Sequence, residues 1–261
     1  NDAHIYCTPD QAEEEFLQVL KLHEYYYRTL GLSRDDYHIV IGLPDESKRD
    51  KYHGDKVMWD KAEHTMKAAI KKSGIRSIDD VGGAAFYGPK IDVVIKSSIG
   101  REFAISTNQL DLYMPTRFNL EYTDQDGSKK LCAVIHRAPL GSHERFIGFL
   151  IEHYAGAFPV WLSPVQIYVA SVGKAHSAAV RKLGKILTEA GVRVEIDDGN
   201  DTVGYKVRQA EKQKIPYVLV VGDREKNLKK LTVRIRGQAR QPQMTVGAFV
   251  KRVKKEIISK V

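Results

Sequence analysis

Two histidines, an arginine at a helix start and a row of alternating polar residues are the side chains of this sequence best suited to chemistry. The stretch Cys132-Ala-Val-Ile-His136-Arg137-Ala-Pro-Leu-Gly141-Ser142-His143-Glu144-Arg145-Phe146 reads as a strand ending in histidine, a glycine break and a helix opening on charge. Such a break exposes backbone N–H groups where anions bind well, and Arg145 falls in the first turn, where its planar fork can clamp phosphate or carboxylate. His4 and His136 each lie in a short strand with one polar face, and imidazoles so placed can ligate a metal. Thr107, Gln109 and Asp111 occupy alternate positions of one strand and share a face, while Tyr87 and Lys90 flank Gly88-Pro89 at a strand entrance. Each residue also has an ordinary reading, as solvent-facing strand polarity or as a surface histidine, and no local metal motif such as Cys-x-x-Cys or His-Glu-x-x-His is present.

The elements that must position these residues fall into two groups. Ala3, Ile5 and Cys7 alternate with His4 and Tyr6 as a strand, and Thr8-Pro9-Asp10-Gln11 predicts a capping box before a helix that ends near Gly31. A strand over 37–43 and a helix from near Trp59 to Gly74 follow. Strands are predicted over 86–95 and 102–112, turning at Ser98-Ile99-Gly100, and a hairpin pairs 118–122 with 131–136 across Asp124-Gln-Asp-Gly127. Short turns between strands predict an antiparallel sheet flanked by helices, an α+β fold. After Trp161-Leu-Ser-Pro164 the pattern becomes strand and helix in alternation, predicting a small, mostly parallel three-layer α/β domain.

Composition is that of a soluble globular protein, with 43% hydrophobic and 28% charged residues among 261. No apolar run reaches membrane-spanning length and the N-terminus carries no secretory pattern, so no membrane partner and a cytoplasmic location are expected. Two cysteines, Cys7 and Cys132, make no disulfide framework and sit in strand-like runs as expected buried thiols. The net charge of +8 is divided unevenly. Residues 1–163 hold 20 Lys and Arg against 24 Asp and Glu, and residues 164–261 hold 21 against 9, a net of +12. The last hundred residues are therefore suited either to a polyanion or to an ordinary solvated Lys-rich surface.

Four strings occur in order: Asp2-Ala3-His4-Ile5-Tyr6-Cys7-Thr8, Ala85-Phe86-Tyr87-Gly88-Pro89-Lys90-Ile91, Thr107-Asn-Gln109-Leu-Asp111 and Ile135-His136-Arg137-Ala-Pro-Leu-Gly141-Ser142-His-Glu144-Arg145-Phe146. Together they resemble the threonyl-tRNA synthetases, class II aminoacyl-tRNA synthetases, over the whole length of the chain. The resemblance implies a partial class II catalytic core, an α+β antiparallel-sheet domain, over residues 1–161 and a three-layer α/β anticodon-binding domain over 162–261. It implies a threonine–tRNA ligase that activates threonine with ATP to threonyl-adenylate and transfers it to tRNA, as a homodimer with magnesium. His4 and His136 match two zinc ligands of that family. The third ligand, a Cys, is expected upstream of His4, so it is expected to be missing here. Asp2, Tyr87 and Gln109 match residues that hold threonine; Thr107, Ser142 and Arg145 match the ATP site; Arg145 and Lys90 are the expected catalytic groups. Asn200, Glu225 and Arg234 match the anticodon-reading surface, and Lys206, Arg208, Lys214 and Arg236 are expected phosphate contacts or solvated charge.

The sequence departs from the family at Ala104, where a glutamine usually contacts ATP, and at Gly83-Ala84, where an acidic residue and glycine are usual. Two rivals stay open: a non-catalytic RNA-binding protein on the synthetase scaffold, and another class II synthetase such as the prolyl or histidyl enzyme.

Overall fold

The structure is a computed structural model and describes residues 1–97 and 100–260, so the turn expected at Ser98-Ile99 lies outside the described residues. The chain divides into two compact units, Asn1–Phe149 and Leu150–Val261.

The first unit begins with β1 (Ala3–Cys7), α1 (Ala12–Thr29), β2 (Tyr37–Leu43), α2 (Lys56–Ser73) and β3 (Ser77–Val81). It continues with β4 (Lys90–Lys96), β5 (Glu102–Asp111), α3 (Met114–Phe118), β6 (Glu121–Thr123), β7 (Lys129–Leu131), β8 (Ala133–Ala138) and the start of α4 (His143–His153). Six strands form one sheet in the order β1-β8-β5-β4-β2-β3, antiparallel except for the β2–β3 pair. Helices α1 and α2 pack against each other and against β5. Phe16, Leu20 and Tyr27 of α1 and Met66 of α2 are fully buried together with Ile39, Ile91, Leu110 and Ile135 of the sheet. That burial supplies most of the drive to fold and leaves the opposite sheet face free for polar residues.

One irregularity shapes that free face. The β4–β5 register passes from Val93 opposite Ser106 to Val94 opposite Ala104, so Ile105 is an extra residue, a β-bulge. Ala104 is thereby brought to the same face as Thr107 and Gln109, which an unbroken strand would deny it.

Several expectations are corrected. Helix α1 starts at Ala12; Pro9-Asp10-Gln11 is a turn, in which Gln11 Oε1 accepts from the Thr8 N–H at 3.0 Å while Thr8 supplies no side-chain cap. Strand β3 has no alternation to betray it, because Ser77-Ile-Asp-Asp-Val81 is exposed at every position. The expected hairpin of 118–122 with 131–136 is instead a small separate one, β6 with β7, and β8 leaves it to join the main sheet. The Cys132 thiol is buried but Cys7 is only half-buried.

The second unit contains β9 (Ile167–Ser171), α5 (Ser177–Glu189), β10 (Val194–Asp197), α6 (Val203–Lys212), β11 (Tyr217–Val221), β12 (Leu231–Ile235), β13 (Gln243–Met244) and α7 (Val246–Ser259). The sheet order is β10-β9-β11-β12-β13. Only β10, β9 and β11 are parallel; β12 and β13 are antiparallel, so the sheet is mixed rather than mostly parallel. Val180, Leu183 and Leu187 of α5 and Phe249 and Val253 of α7 cover one face, and Ala210 of α6 packs with Tyr168 and Val218 on the other. The three layers are as expected. Among the described residues no helix is long and apolar enough to cross a membrane.

Candidate active site

The free face of the first sheet is organised by one transverse row. His4 on β1 stands opposite His136 on β8, His136 opposite Gln109 on β5, and Gln109 opposite Lys90 on β4. Residues directly opposite across a sheet share a face, so four polar side chains from four strands point to one side. The row is completed by Gly42 of β2, where a Cβ would come within 2.6 Å of the Gly83 carbonyl oxygen.

At one end the His4 and His136 rings meet edge to face, with centroids 4.6 Å apart. Behind His136 lies Asp111, wholly buried, with Oδ2 2.9 Å from His136 Nε2. Its Oδ1 accepts from the N–H groups of Tyr113 (2.9 Å) and Met114 (2.8 Å), which fixes the carboxylate. A carboxylate that orients one imidazole nitrogen and leaves the other for a metal is the usual outer shell of a histidine ligand. The donor set thus fits two zinc ligands, while no group of three or more His, Cys, Asp or Glu assembles among the described residues. Neither cysteine supplies the third. Burial first, with Glu15 and Cys132 adding to it, pushes the Cys7 thiol up to about 11.

In the middle, Tyr87 hangs over the row, its ring centroid 5.2 Å from that of His136 and its hydroxyl donating to Gln109 Oε1. Burial, then the Asp111 and Asp2 carboxylates, hold the Tyr87 phenol above its ordinary value, which keeps it a donor. Asp2 lies just ahead of β1, two residues before His4. Gln109 Nε2 lies 3.4 Å from Thr107 Oγ1, which in turn donates to the Ile91 carbonyl at 3.1 Å. Gly88 lets this loop reach the sheet, since a Cβ there would overlap the Leu110 carbonyl oxygen.

At the other end is a cavity of about 410 Å³ lined by Lys90, Asp92, Thr107, Gln109, Ser142 and Arg145, among others. Lys90 is ion-paired with Asp92, two residues along the same face. Arg145, exposed in the first turn of α4, donates through Nη1 to the Ala104 carbonyl at 3.3 Å. Its backbone N–H is 3.4 Å from Ser142 Oγ. The glycine before them, Gly141, has φ of +52° and sits so close to the bulge that a Cβ would be 2.6 Å from the Ile105 carbonyl oxygen. Ser106 Oγ donates to the Pro139 carbonyl at 2.5 Å, tying the same turn to the same bulge.

The structure therefore gathers Asp2, His4, Tyr87, Lys90, Thr107, Gln109, His136, Ser142 and Arg145 around one sheet face. Sequence reasoning passed over three contributors. Asp92 could have been found as the i+2 partner of Lys90. Asp111 was seen only as a member of an alternating row. Asn1, whose side chain bridges the Gly141 carbonyl (2.6 Å) and the Leu140 N–H (2.9 Å), gave no signal.

In the second unit Asn200 is exposed on the loop between β10 and α6, and Glu225 lies on the loop after β11. Both loops leave the carboxyl ends of parallel strands, the edge where open α/β sheets bind ligands. Glu225 Oε1 accepts from Thr232 Oγ1 at 3.0 Å, and Arg234 follows two residues later on the same face of β12. Arg234 also lines a cavity of about 340 Å³ with Lys214, Arg236 and Gln238. Two expected phosphate contacts are corrected. Lys206 is fully buried, and Arg236 donates to the carbonyls of Lys214, Ala157 (3.0 Å) and Phe158 (2.7 Å). Arg208 is exposed as expected.

Residues 1–154 match the family described as the tRNA synthetase class II core domain (G, H, P, S and T), and residues 166–256 match the anticodon binding domain family. The chain belongs to the class II aminoacyl-tRNA synthetases. Its relatives are threonine–tRNA ligases: it is 43% identical over 257 residues to the enzyme of Thermotoga neapolitana and 45% identical over 250 residues to that of Thermus thermophilus. These alignments take in 98% and 96% of the chain, which spans only 39% and 38% of the relatives' length. The crystal structure described as the RNA binding domain of threonyl-tRNA synthetase from Cryptosporidium parvum Iowa II superposes with a TM-score of 0.89 at 32% identity, covering 97% of this chain and 62% of that one.

Proposed function

We propose that this chain carries the ATP- and threonine-binding face and the anticodon-binding domain of a threonine–tRNA ligase, with the domain boundary at 161/162. The observation that carries the proposal is the transverse row. It sets two imidazoles at one end and an arginine-lined cavity at the other, joined by Gln109 and Lys90. The two ends suit the two substrates of amino-acid activation. Asp2, Tyr87 and Gln109 would hold the threonine amine and backbone, and Thr107, Ser142, Lys90 and Arg145 would face ATP and its magnesium.

His4 and His136 would hold a zinc ion, with Asp111 orienting His136. When bound it supplies a Lewis acid with affinity for the amino and hydroxyl groups of threonine. Such a demand answers a physical problem, because an apolar pocket separates threonine from its isostere valine by only about a hundredfold. In the activation step the threonine carboxylate attacks the α-phosphate of ATP and pyrophosphate leaves. Arg145, anchored on the Ala104 carbonyl, would neutralise the charge that develops there, and positioning supplies much of the remaining rate. The departure at Ala104 leaves this anchor intact, since the acceptor is backbone. Gly83 is different: a side chain there would displace the Asp80 carboxylate.

The second unit, with its net charge of +12 over residues 164–261, would hold the tRNA anticodon arm, with Asn200, Glu225 and Arg234 reading unpaired bases. A homodimer in the cytoplasm completes the reading. The deciding experiment is ATP–pyrophosphate exchange by the full-length protein with each of the twenty amino acids, threonine, serine, valine, proline and histidine foremost. Exchange dependent on threonine is expected. Binding of tRNA with no exchange for any amino acid would identify a non-catalytic RNA-binding protein instead, and exchange driven by proline or histidine would identify a different synthetase.

A further inference from the structure

Lys206 belongs to α6 but its side chain is 0% exposed. An ammonium removed from water is costly unless every N–H is matched and the charge is answered. Here Nζ donates to the carbonyls of Gly199 (2.8 Å), Ser171 (3.2 Å) and Asp197 (3.3 Å) and to Ser171 Oγ (3.3 Å), and lies 3.2 Å from Asp197 Oδ1. The acceptors come from the ends of β9 and β10 and from the loop after β10. Asp197 is held from two further sides, by the Tyr168 hydroxyl on Oδ2 and by the Gly199 N–H on Oδ1 at 3.0 Å. The last residue so fixed is Gly199, immediately before Asn200. Beyond Asn200 the chain is fixed again at Thr202, whose Oγ1 accepts from the Tyr205 N–H at 3.3 Å as the N-cap of α6. Asn200 is thus displayed on a short exposed arch pinned on both sides.

We propose that Lys206 is a positioning residue that pre-sets this arch so that Asn200 can read an unpaired base of an RNA loop. The proposal rests on the base-reading role given to Asn200 above. A buried lysine cannot touch phosphate, so it adds nothing to the electrostatic attraction that all RNA shares. Its effect is on selectivity, through the ordering cost that a floppy arch would have to meet on binding.

The test measures the dissociation constants of the whole chain for a hairpin bearing a threonine anticodon loop and for the same stem closed by uridines. Lys206→Met, Asn200→Ala and the double variant are compared, and thermal melts report the fold. Lys206→Met is expected to lower the ratio of the two affinities by about tenfold, the size of one lost base-edge hydrogen bond. It should leave uridine-loop binding unchanged. Asn200→Ala should match it, and the double variant should fall no further. A folded Lys206→Met that keeps the ratio, or single effects that multiply in the double variant, would overturn the positioning role while leaving Asn200 as a reader. A ratio unmoved by Asn200→Ala would remove the reader itself, and the proposal with it. If Lys206→Met does not melt cooperatively, Tyr168→Phe loosens the same arch while leaving the Lys206–Asp197 ion pair in place: a smaller drop in the ratio supports the proposal, and no drop defeats it.

Discussion

Asp111 holds His136 by a 2.9 Å contact to Nε2 while its other oxygen caps the backbone at Tyr113 and Met114, so one buried carboxylate sets both the imidazole and the turn that follows β5. Asp111→Asn separates the two duties, because the amide keeps a capping oxygen but turns a donor toward His136. In the full-length protein this variant is expected to bind zinc about 10- to 100-fold more weakly, measured by chelator competition, with little change in the urea midpoint. Unchanged zinc affinity would rule out the orienting role.

Two glycines set how closely the loops approach the sheet. Gly141→Ala places a Cβ at φ +52° and 2.6 Å from the Ile105 carbonyl oxygen, and Gly88→Ala drives one into that of Leu110. Each should cost about 1–3 kcal/mol in urea unfolding, since backbone must yield. Gly127→Ala serves as the control: its φ is +80°, a Cβ there meets no described residue within 4 Å beyond its chain neighbours, and about 1 kcal/mol is expected. Equal losses at all three positions would contradict the packing account.

His23 on α1 is buried, and among the described residues neither of its ring nitrogens has a hydrogen-bond partner. Burial, aided by the nearby Arg137 charge, lowers it from 6.5 to about 3. Below pH 6.5 the unfolded chain takes up a proton that the folded chain refuses, so stability is complete above that value and falls as the pH drops toward 3. The slope contributed by this one site is at most about 1.4 kcal/mol per pH unit. His23→Leu should remove that contribution, and denaturant midpoints at pH 7, 6 and 5 will show it. An unaltered pH dependence would mean that other groups govern it.

Arg236 is a structural group. Its guanidinium serves three carbonyls, of Lys214, Ala157 and Phe158. Arg236→Ala is expected to cost about 2–3 kcal/mol of stability by leaving them without their donor. The salt dependence of RNA binding should not change. A slope reduced by about one would restore it as a phosphate contact.

Much of this was legible from residue type and spacing. Period-2 alternation revealed β1 and β5, and the i, i+2, i+4 row of Thr107, Gln109 and Asp111 gave their common face. What spacing could not give was which strands lie side by side. That His4, His136, Gln109 and Lys90 form a single row depends on a sheet order in which β8 is inserted between β1 and β5, far from both in sequence. Strand β3 was invisible because an exposed edge strand buries no alternate residue. Lys206 and Arg236 were misread for a related reason: a basic side chain looks the same in a sequence whether water or backbone carbonyls surround it.

The extra residue at Ile105 has a consequence for how this protein can vary. Removing it would leave a regular ladder, with Ala104 still opposite Val94 and Ser106 still opposite Val93, so the other residues of β5 would keep their faces. Adding a residue elsewhere in the strand would instead re-phase it on one side, exchanging the residues of the polar face for those that pack on α1 and α2. Length changes in the Asp124–Ser128 turn carry no such penalty, because that small hairpin lies outside the main sheet. Insertions and deletions among relatives should therefore collect in that turn and, between Glu102 and Asp111, be confined to single-residue losses at the bulge. The tolerance of this protein to changes in length is set strand by strand, by a counting rule rather than by distance from the polar row.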